Sequence, residues 1–258
     1  MLFFRDIRGW RRLILAAALV AAPLSAGAQD SGVWARNPAS NCHVWNTSGE
    51  PNRSFTWSGG CENNVARGRG VLQWFTNGIP SGRYVGEYNN GRMNGRGVFE
   101  YTNGDVYEGE FRDDRPNGRA AFRAANGSRY NGLVRNGSPI QGEVTTTGGA
   151  AADDGLTNYR GLFSDGQPVR GKVKFPDGSF YDGDLRGSKP AGWGVFTTAT
   201  GGRYEGEFDN GKPNGFGTYT VRVGVAYAGL WTDGCLRQRN RTAAVIATEK
   251  ECSTRSSS

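Results

Sequence analysis

The sequence predicts an all-β protein: an elongated, single-layer antiparallel meander of β-hairpins, twisted and curved, with a disulfide-stapled segment at each end. Three observations predict it. An aromatic residue followed two positions later by glycine recurs at a nearly constant interval of about 23 residues. Between these marks, aromatic or glycine alternates with polar residues, the period of an extended strand. Asn-Gly and Asp-Gly pairs interrupt the alternation where tight turns need positive φ.

The series opens at Trp57 with Gly59, then runs through Tyr84–Gly86, Tyr107–Gly109, Tyr130–Gly132, Tyr159–Gly161, Tyr181–Gly183, Tyr204–Gly206 and Tyr227–Gly229. The unit from Tyr84 continues with Gly91, Asn94-Gly95-Arg96-Gly97, Val98-Phe99 and Tyr101, and closes at Asn103-Gly104. The unit from Tyr204 matches it with Gly211, Asn214-Gly215-Phe216-Gly217 and Tyr219. Those from Tyr130 and Tyr159 are variants that share G-x-P-[IV]-x-G-x-V at 137–144 and 166–173. Each unit reads as one hairpin, and a meander of about fifteen strands spans roughly 70 Å.

The glycines are expected to serve packing. Tyr84, Gly86 and Tyr88 share one face of a strand, as do Gly95, Gly97, Phe99 and Tyr101 on its partner. A ring laid over a neighbouring glycine covers backbone that would otherwise be bare. A sheet with no helices over it needs such burial. The chain has 41 glycines among 258 residues, with 7 Trp, 10 Tyr and 13 Phe, and that aromatic content excludes a disordered glycine-rich chain. It contains no G-x-G-x-x-G, P-loop or G-x-S-x-G motif, so a phosphate cradle and a nucleophile elbow are not indicated.

These units resemble the MORN repeat, Y-x-G-x-x-x-x-G-x-x-x-G-x-G with a closing glycine. The resemblance covers residues 54–234, about seven full units and a half unit. Trp57-Ser58-Gly59-Gly60-Cys61, followed by Arg67-Gly68-Arg69-Gly70, looks like the first repeat of exported bacterial MORN proteins. The resemblance implies an elongated, twisted meander serving as a non-enzymatic scaffold, with no cofactor, that docks a protein partner or a second copy of itself. Two departures stand out. An insertion at 149–158 reads as a surface loop, with a bend or a partner contact as alternatives. Ala120 stands where the unit from Tyr107 should carry glycine, which predicts looser packing there.

Both ends carry further signals. Arg5, Arg8, Arg11 and Arg12 precede an apolar run too short to span a bilayer, and Ala26-Gly27-Ala28 forms a cleavage site, so residues 1–28 read as a removable leader. The mature chain is therefore expected to be periplasmic or secreted. Four cysteines allow three pairings. Their positions favour the local ones, Cys42–Cys61 and Cys235–Cys252, in an oxidising compartment. These would staple capping segments 29–53 and 235–258 onto the array, protecting its open edges. The stretch Thr242–Cys252 is open between a short helix and a covering strand.

Removing the leader lowers the net charge from +7 to about +4, too small and too interspersed for a nucleic-acid footprint. His43, the single histidine, adjoins Cys42, but neighbours on a strand point to opposite faces and an oxidised cysteine is no nucleophile. No metal-binding spacing occurs. Glu87, Glu110 and Glu207 recur at equivalent points and read as a solvated ladder paired with Arg96 or Arg119. The leading function is thus protein docking or self-association, with binding of anionic lipid head groups or glycan as the alternative. The tryptophans outside the periodic positions, Trp45, Trp74, Trp193 and Trp231, are the candidate binding residues.

Overall fold

A computed structural model describes residues 32–37, 39–49, 52–146, 158–238 and 241–254. The expected leader and residues 149–157 of the insertion lie outside them. The chain divides into two compact units, Met1–Gly148 and Gly149–Ser258.

The first unit begins with four short strands: β1 (Val33–Arg36), β2 (His43–Asn46), β3 (Arg53–Trp57) and β4 (Gly60–Glu62). A regular meander follows, with β5 (Val65–Thr76), β6 (Ile79–Asn89), β7 (Arg92–Glu100), β8 (Val106–Arg112), β9 (Arg115–Arg123), β10 (Arg129–Arg135) and β11 (Ser138–Thr145). Each of β5 to β10 pairs antiparallel with the strand that follows it, and β3 pairs with β5. β1 and β2 form their own antiparallel pair, and β2 joins β5 by a parallel bridge at His43↔Val65. The disulfide Cys42–Cys61, with Cα atoms 5.9 Å apart, ties this pair to β4, which runs against β5.

The second unit repeats the plan. Its meander runs through β12 (Asn158–Ser164), β13 (Gln167–Lys174), β14 (Phe180–Arg186), β15 (Lys189–Thr197), β16 (Arg203–Asp209), β17 (Lys212–Thr220), β18 (Ala226–Thr232), β19 (Cys235–Gln238) and β20 (Arg241–Ala244). All consecutive pairs are antiparallel. A helix, α1 (Glu249–Thr254), ends the described chain. The C-terminal segment is therefore strand and helix in succession. Cys235–Cys252 ties the helix to β19, and the Arg237 Nε–H donates to the Cys252 carbonyl at 2.8 Å.

Turn chemistry explains the hairpins. Asn90 and Gly91 both hold positive φ, 49° and 71°, the two-residue turn whose twist matches that of the flanking strands. Asn77-Gly78, Asn136-Gly137, Asp165-Gly166, Asn210-Gly211 and Asp233-Gly234 repeat it. Between successive hairpins within each unit the chain turns through five residues, where a side chain such as Asn126 or Asp177 accepts the N–H two residues on.

The core of each unit lies on one face of its meander. Glycines pair with glycines across successive strands, Gly70↔Gly86↔Gly97↔Gly109 in the first unit and Gly161↔Gly171↔Gly183↔Gly194↔Gly206↔Gly217↔Gly229 in the second. Over this row lie the repeat tyrosines. A Cβ added at Gly86 or Gly97 would collide with the Tyr84 ring; at Gly183 or Gly194, with that of Tyr181; at Gly206 or Gly217, with that of Tyr204. Trp57 covers Gly59 and Gly70 in the same way, Tyr130 covers Gly132 and Gly142, and Tyr159 covers Gly161. Each ring thus lies over the glycine two residues on, and most also cover its cross-strand partner. Where Ala120 faces Gly109, the Tyr107 ring still sits against Gly109, and Ala120 is buried. Edge-to-face contacts such as Tyr84–Phe111, at 5.2 Å, and Tyr181–Phe208, at 5.0 Å, link one hairpin's ring to the next.

The last unit departs from the pattern. Tyr227 is only half-buried, and Leu236 and Gln238 lie against Gly229 in place of a ring. Trp231 is fully buried beside Tyr204, its indole N–H donating to the Gly217 carbonyl at 3.0 Å.

Candidate functional site

The covered face fixes what the other face can present. At the third position after Tyr84, Tyr107, Tyr181 and Tyr204 the register shifts: one residue there stands opposite three on the next strand, so the β-bulge lies on that next strand, at 94–96, 117–119, 191–193 and 214–216. The tyrosine hydroxyl donates to the carbonyl of the residue opposite the bulge, where the ladder is interrupted. Tyr84 donates to Glu87 O at 3.2 Å, Tyr107 to Glu110 O at 3.0 Å, Tyr181 to Asp184 O at 2.7 Å and Tyr204 to Glu207 O at 3.1 Å. This is why the repeat specifies tyrosine where phenylalanine would fill the same space. Burial pushes these phenols up, Tyr159 and Tyr204 to about 12, so all stay protonated and able to donate.

The acids opposite the bulges have a structural task. Glu87, Glu110, Asp184 and Glu207 lie against Gly95, Gly118, Gly192 and Gly215, each glycine at positive φ. Glu110 and Glu207 also accept long backbone N–H bonds, from Arg119 and Phe216, at 3.4 Å. Asp184 also pairs with Arg170 at 3.7 Å; the other ion pairs, including Arg83–Glu100 and Lys172–Asp182, fall elsewhere. One is buried: Asp114 accepts the Met93 N–H at 2.7 Å and the Arg92 guanidinium at 3.2 Å.

The four candidate tryptophans separate on this framework. Trp74 is buried against Phe55, with Arg53 stacked 4.5 Å from its ring centroid. Trp231 is buried as described. Trp45 packs edge-on against Trp34 under the Arg92 guanidinium. Trp193 is 55% exposed on the outer face. His43 binds the Asn64 carbonyl through Nδ1 at 2.8 Å, while Cys42 is buried in its disulfide.

Trp193 has neighbours that the sequence reading did not group with it. It occupies the middle of Gly192-Trp193-Gly194, the place held by Arg96 after Gly95 and by Arg119 after Gly118. Phe216 holds the same place two strands further on and is 66% exposed; Leu230, its cross-strand partner, is 59% exposed. In the last repeats this outer position thus changes from arginine to apolar. Trp193, Phe216 and Ala228, with Glu205 and Thr218, border a groove of about 410 Å³ over Gly217 and Gly229. A second groove, about 520 Å³, crosses β5 to β10 in the first unit; there Arg69, Arg96 and Arg119 stand among Glu108 and Glu110.

The sequence model of the MORN repeat matches residues 84–106, 107–129, 181–203 and 204–221. The chain carries MORN repeats. The hairpins from Tyr130 and Tyr159 lie outside the matched residues, yet each keeps its tyrosine over a glycine. No curated protein matches the sequence. Among solved structures, the SAS-4 (dCPAP) TCP domain of Drosophila melanogaster, in complex with a proline-rich motif of Ana2 (dSTIL), is similar at 12% identity and a TM-score of 0.36. The alignment covers 81% of this chain and 96% of that one, and a likeness at that score carries no functional weight. MORN repeats indicate a repeat-based binding or scaffold role. Among the described residues no cluster of His, Cys, Asp or Glu is arranged to hold a metal ion.

Proposed function

We propose that the chain is a non-enzymatic scaffold of the cell envelope, exported and periplasmic or secreted, that docks another envelope component on the Trp193–Phe216–Leu230 face. The observation that carries this reading is the exposure of Trp193 and Phe216, where earlier MORN repeats present arginine, and of Leu230, the cross-strand partner of Phe216, where they present an acid; Glu207 stands between Trp193 and Phe216 on the intervening strand. Two disulfides agree with an oxidising compartment.

The expected partner classes fare differently at this face. Self-association through the strip alone is disfavoured by area. Three side chains at these exposures offer on the order of 400 Å² of apolar surface, against about 800 Å² per partner in a standard interface. Anionic lipid is disfavoured by charge, since none of the described residues lining the groove is basic. A protein partner and a glycan remain.

Crosslinking in the periplasm followed by capture tests the reading. The wild-type chain should retain a crosslinked component that Trp193→Ser with Phe216→Ser loses while the far-ultraviolet circular dichroism is unchanged. Equal capture by both chains would remove this face from the function.

A further inference from the structure

The strip has a polar counterpart. Across the glycine row from Trp193 and Phe216 run Glu205, Thr218 and Ala228, joined in register on β16, β17 and β18. Glu205 is ion-paired with Arg203, Nη1 to Oε2 at 2.5 Å, and both side chains remain about half exposed. The pair neutralises the acid while keeping unused donors and acceptors near the groove. Thr218 adds a hydroxyl. The groove therefore combines apolar side chains on one side with a salt-bridged carboxylate and a hydroxyl on the other.

From this we infer that the groove over Gly217 and Gly229 binds a neutral, extended β-linked glycan chain. The inference rests on the docking face proposed above and names its occupant. A pyranoside has an apolar C–H face that packs on aromatic and aliphatic side chains and equatorial hydroxyls that need donors and acceptors at its edge. A phosphate or sulfate ester would need basic lining, which the groove does not offer among its described residues. Its volume, about 410 Å³, lies in the range of small-ligand sites. Trp193 and Phe216 stand two strands apart, roughly 9.6 Å, close to the advance of one disaccharide in an extended β-1,4 chain. Successive sugars can then meet the two aromatic residues along a line crossing the strands.

The probes are hexasaccharides of β-1,4-linked glucose and of β-1,4-linked N-acetylglucosamine, with isolated cell-wall sacculi in a sedimentation arm. Titration calorimetry of the mature chain should give saturable binding to at least one of them, weakened about tenfold or more by Trp193→Ala. Arg69→Ala, in the other unit, should leave the affinity unchanged. Sedimentation with anionic vesicles and light scattering at the same protein concentrations report lipid binding and dimerisation. Saturable glycan binding that Trp193→Ala abolishes supports the inference. No binding to any glycan arm, with crosslinked capture still lost in the strip variants, overturns the glycan and leaves the docking face standing. Vesicle binding or a dimer that Trp193→Ala abolishes likewise overturns it in favour of that occupant. Capture and glycan binding both indifferent to the strip remove the face itself.

Discussion

A single methyl group placed under one tyrosine tests the packing scheme most directly. Gly97 has ordinary extended backbone, so alanine meets no conformational objection there; only the ring opposes it. A Cβ would stand well inside 3.0 Å of the Oη, Cζ and Cε2 atoms of Tyr84. The ring cannot tilt freely, because Phe111 and Tyr88 abut it at 5.2 and 5.5 Å and its hydroxyl is bonded to the Glu87 carbonyl. Overpacking of this kind costs about 1–3 kcal/mol. Losing the hydroxyl bond to the Glu87 carbonyl adds roughly 1 kcal/mol. Gly97→Ala should therefore destabilise by about 2–4 kcal/mol. The assay is urea unfolding followed by tryptophan fluorescence and circular dichroism, with Ala120→Gly as the matched control at a position that already accommodates a methyl. The control should move stability by no more than about 1 kcal/mol. If Gly97→Ala were as stable as the parent chain, the ring would not be confined and the account of the glycine row would fail.

Other outcomes follow from the same contacts. Burial raises the phenols of Tyr159 and Tyr204 to about 12, so between the ordinary value of 10.0 and that point the folded chain holds protons the unfolded chain has lost. The tyrosine contribution should be complete below pH 10 and fall away as pH rises towards 12; phenolate absorbance of the folded chain centred at the ordinary value would contradict it. Asp114→Ala should cost about 3–5 kcal/mol by stranding Arg92 and the Met93 N–H, with Asp114→Asn milder, as read by thermal unfolding. Cys252→Ser should remove up to about 3 kcal/mol from the C-terminal cap. Hydrogen exchange would show that loss as faster amide exchange in β19 and β20, with β6 and β7 unaffected.

Much of the fold is legible because the repeat is written in residue types that have few structural uses. Tyr84, Gly86 and Gly97 announce a ring, a bare backbone and its cross-strand partner, and Asn90-Gly91 announces the turn. Both disulfides are legible from position. The bulge is not, since nothing in Asn94-Gly95-Arg96 shows that three residues there stand opposite the single Glu87. The parallel bridge from His43 to Val65 and the strand-then-helix ending at Cys252 are equally hidden, because they depend on tertiary contacts of irregular segments. At the candidate site, grouping tryptophans by their lack of periodicity placed Trp74 and Trp231, which are core residues, beside Trp193. Comparing occupants of one repeat position, Arg96 and Arg119 against Trp193 and Phe216, is the signal that separates them. It also brings in Phe216 and Leu230, which no count of tryptophans would find.

The glycine row has a consequence for the history of such a chain. Every junction between neighbouring hairpins in the second unit meets glycine to glycine, whichever hairpins are involved. Excising residues 181–203 would bring Gly206 opposite Gly171, with Phe175–Phe180 turning directly into Tyr204, and no new interface would have to be invented. Gains and losses of whole 23-residue blocks, of the length matched at 181–203, therefore leave the registration of strands intact. The number of hairpins is free to drift while the outer face of each remains open to separate selection.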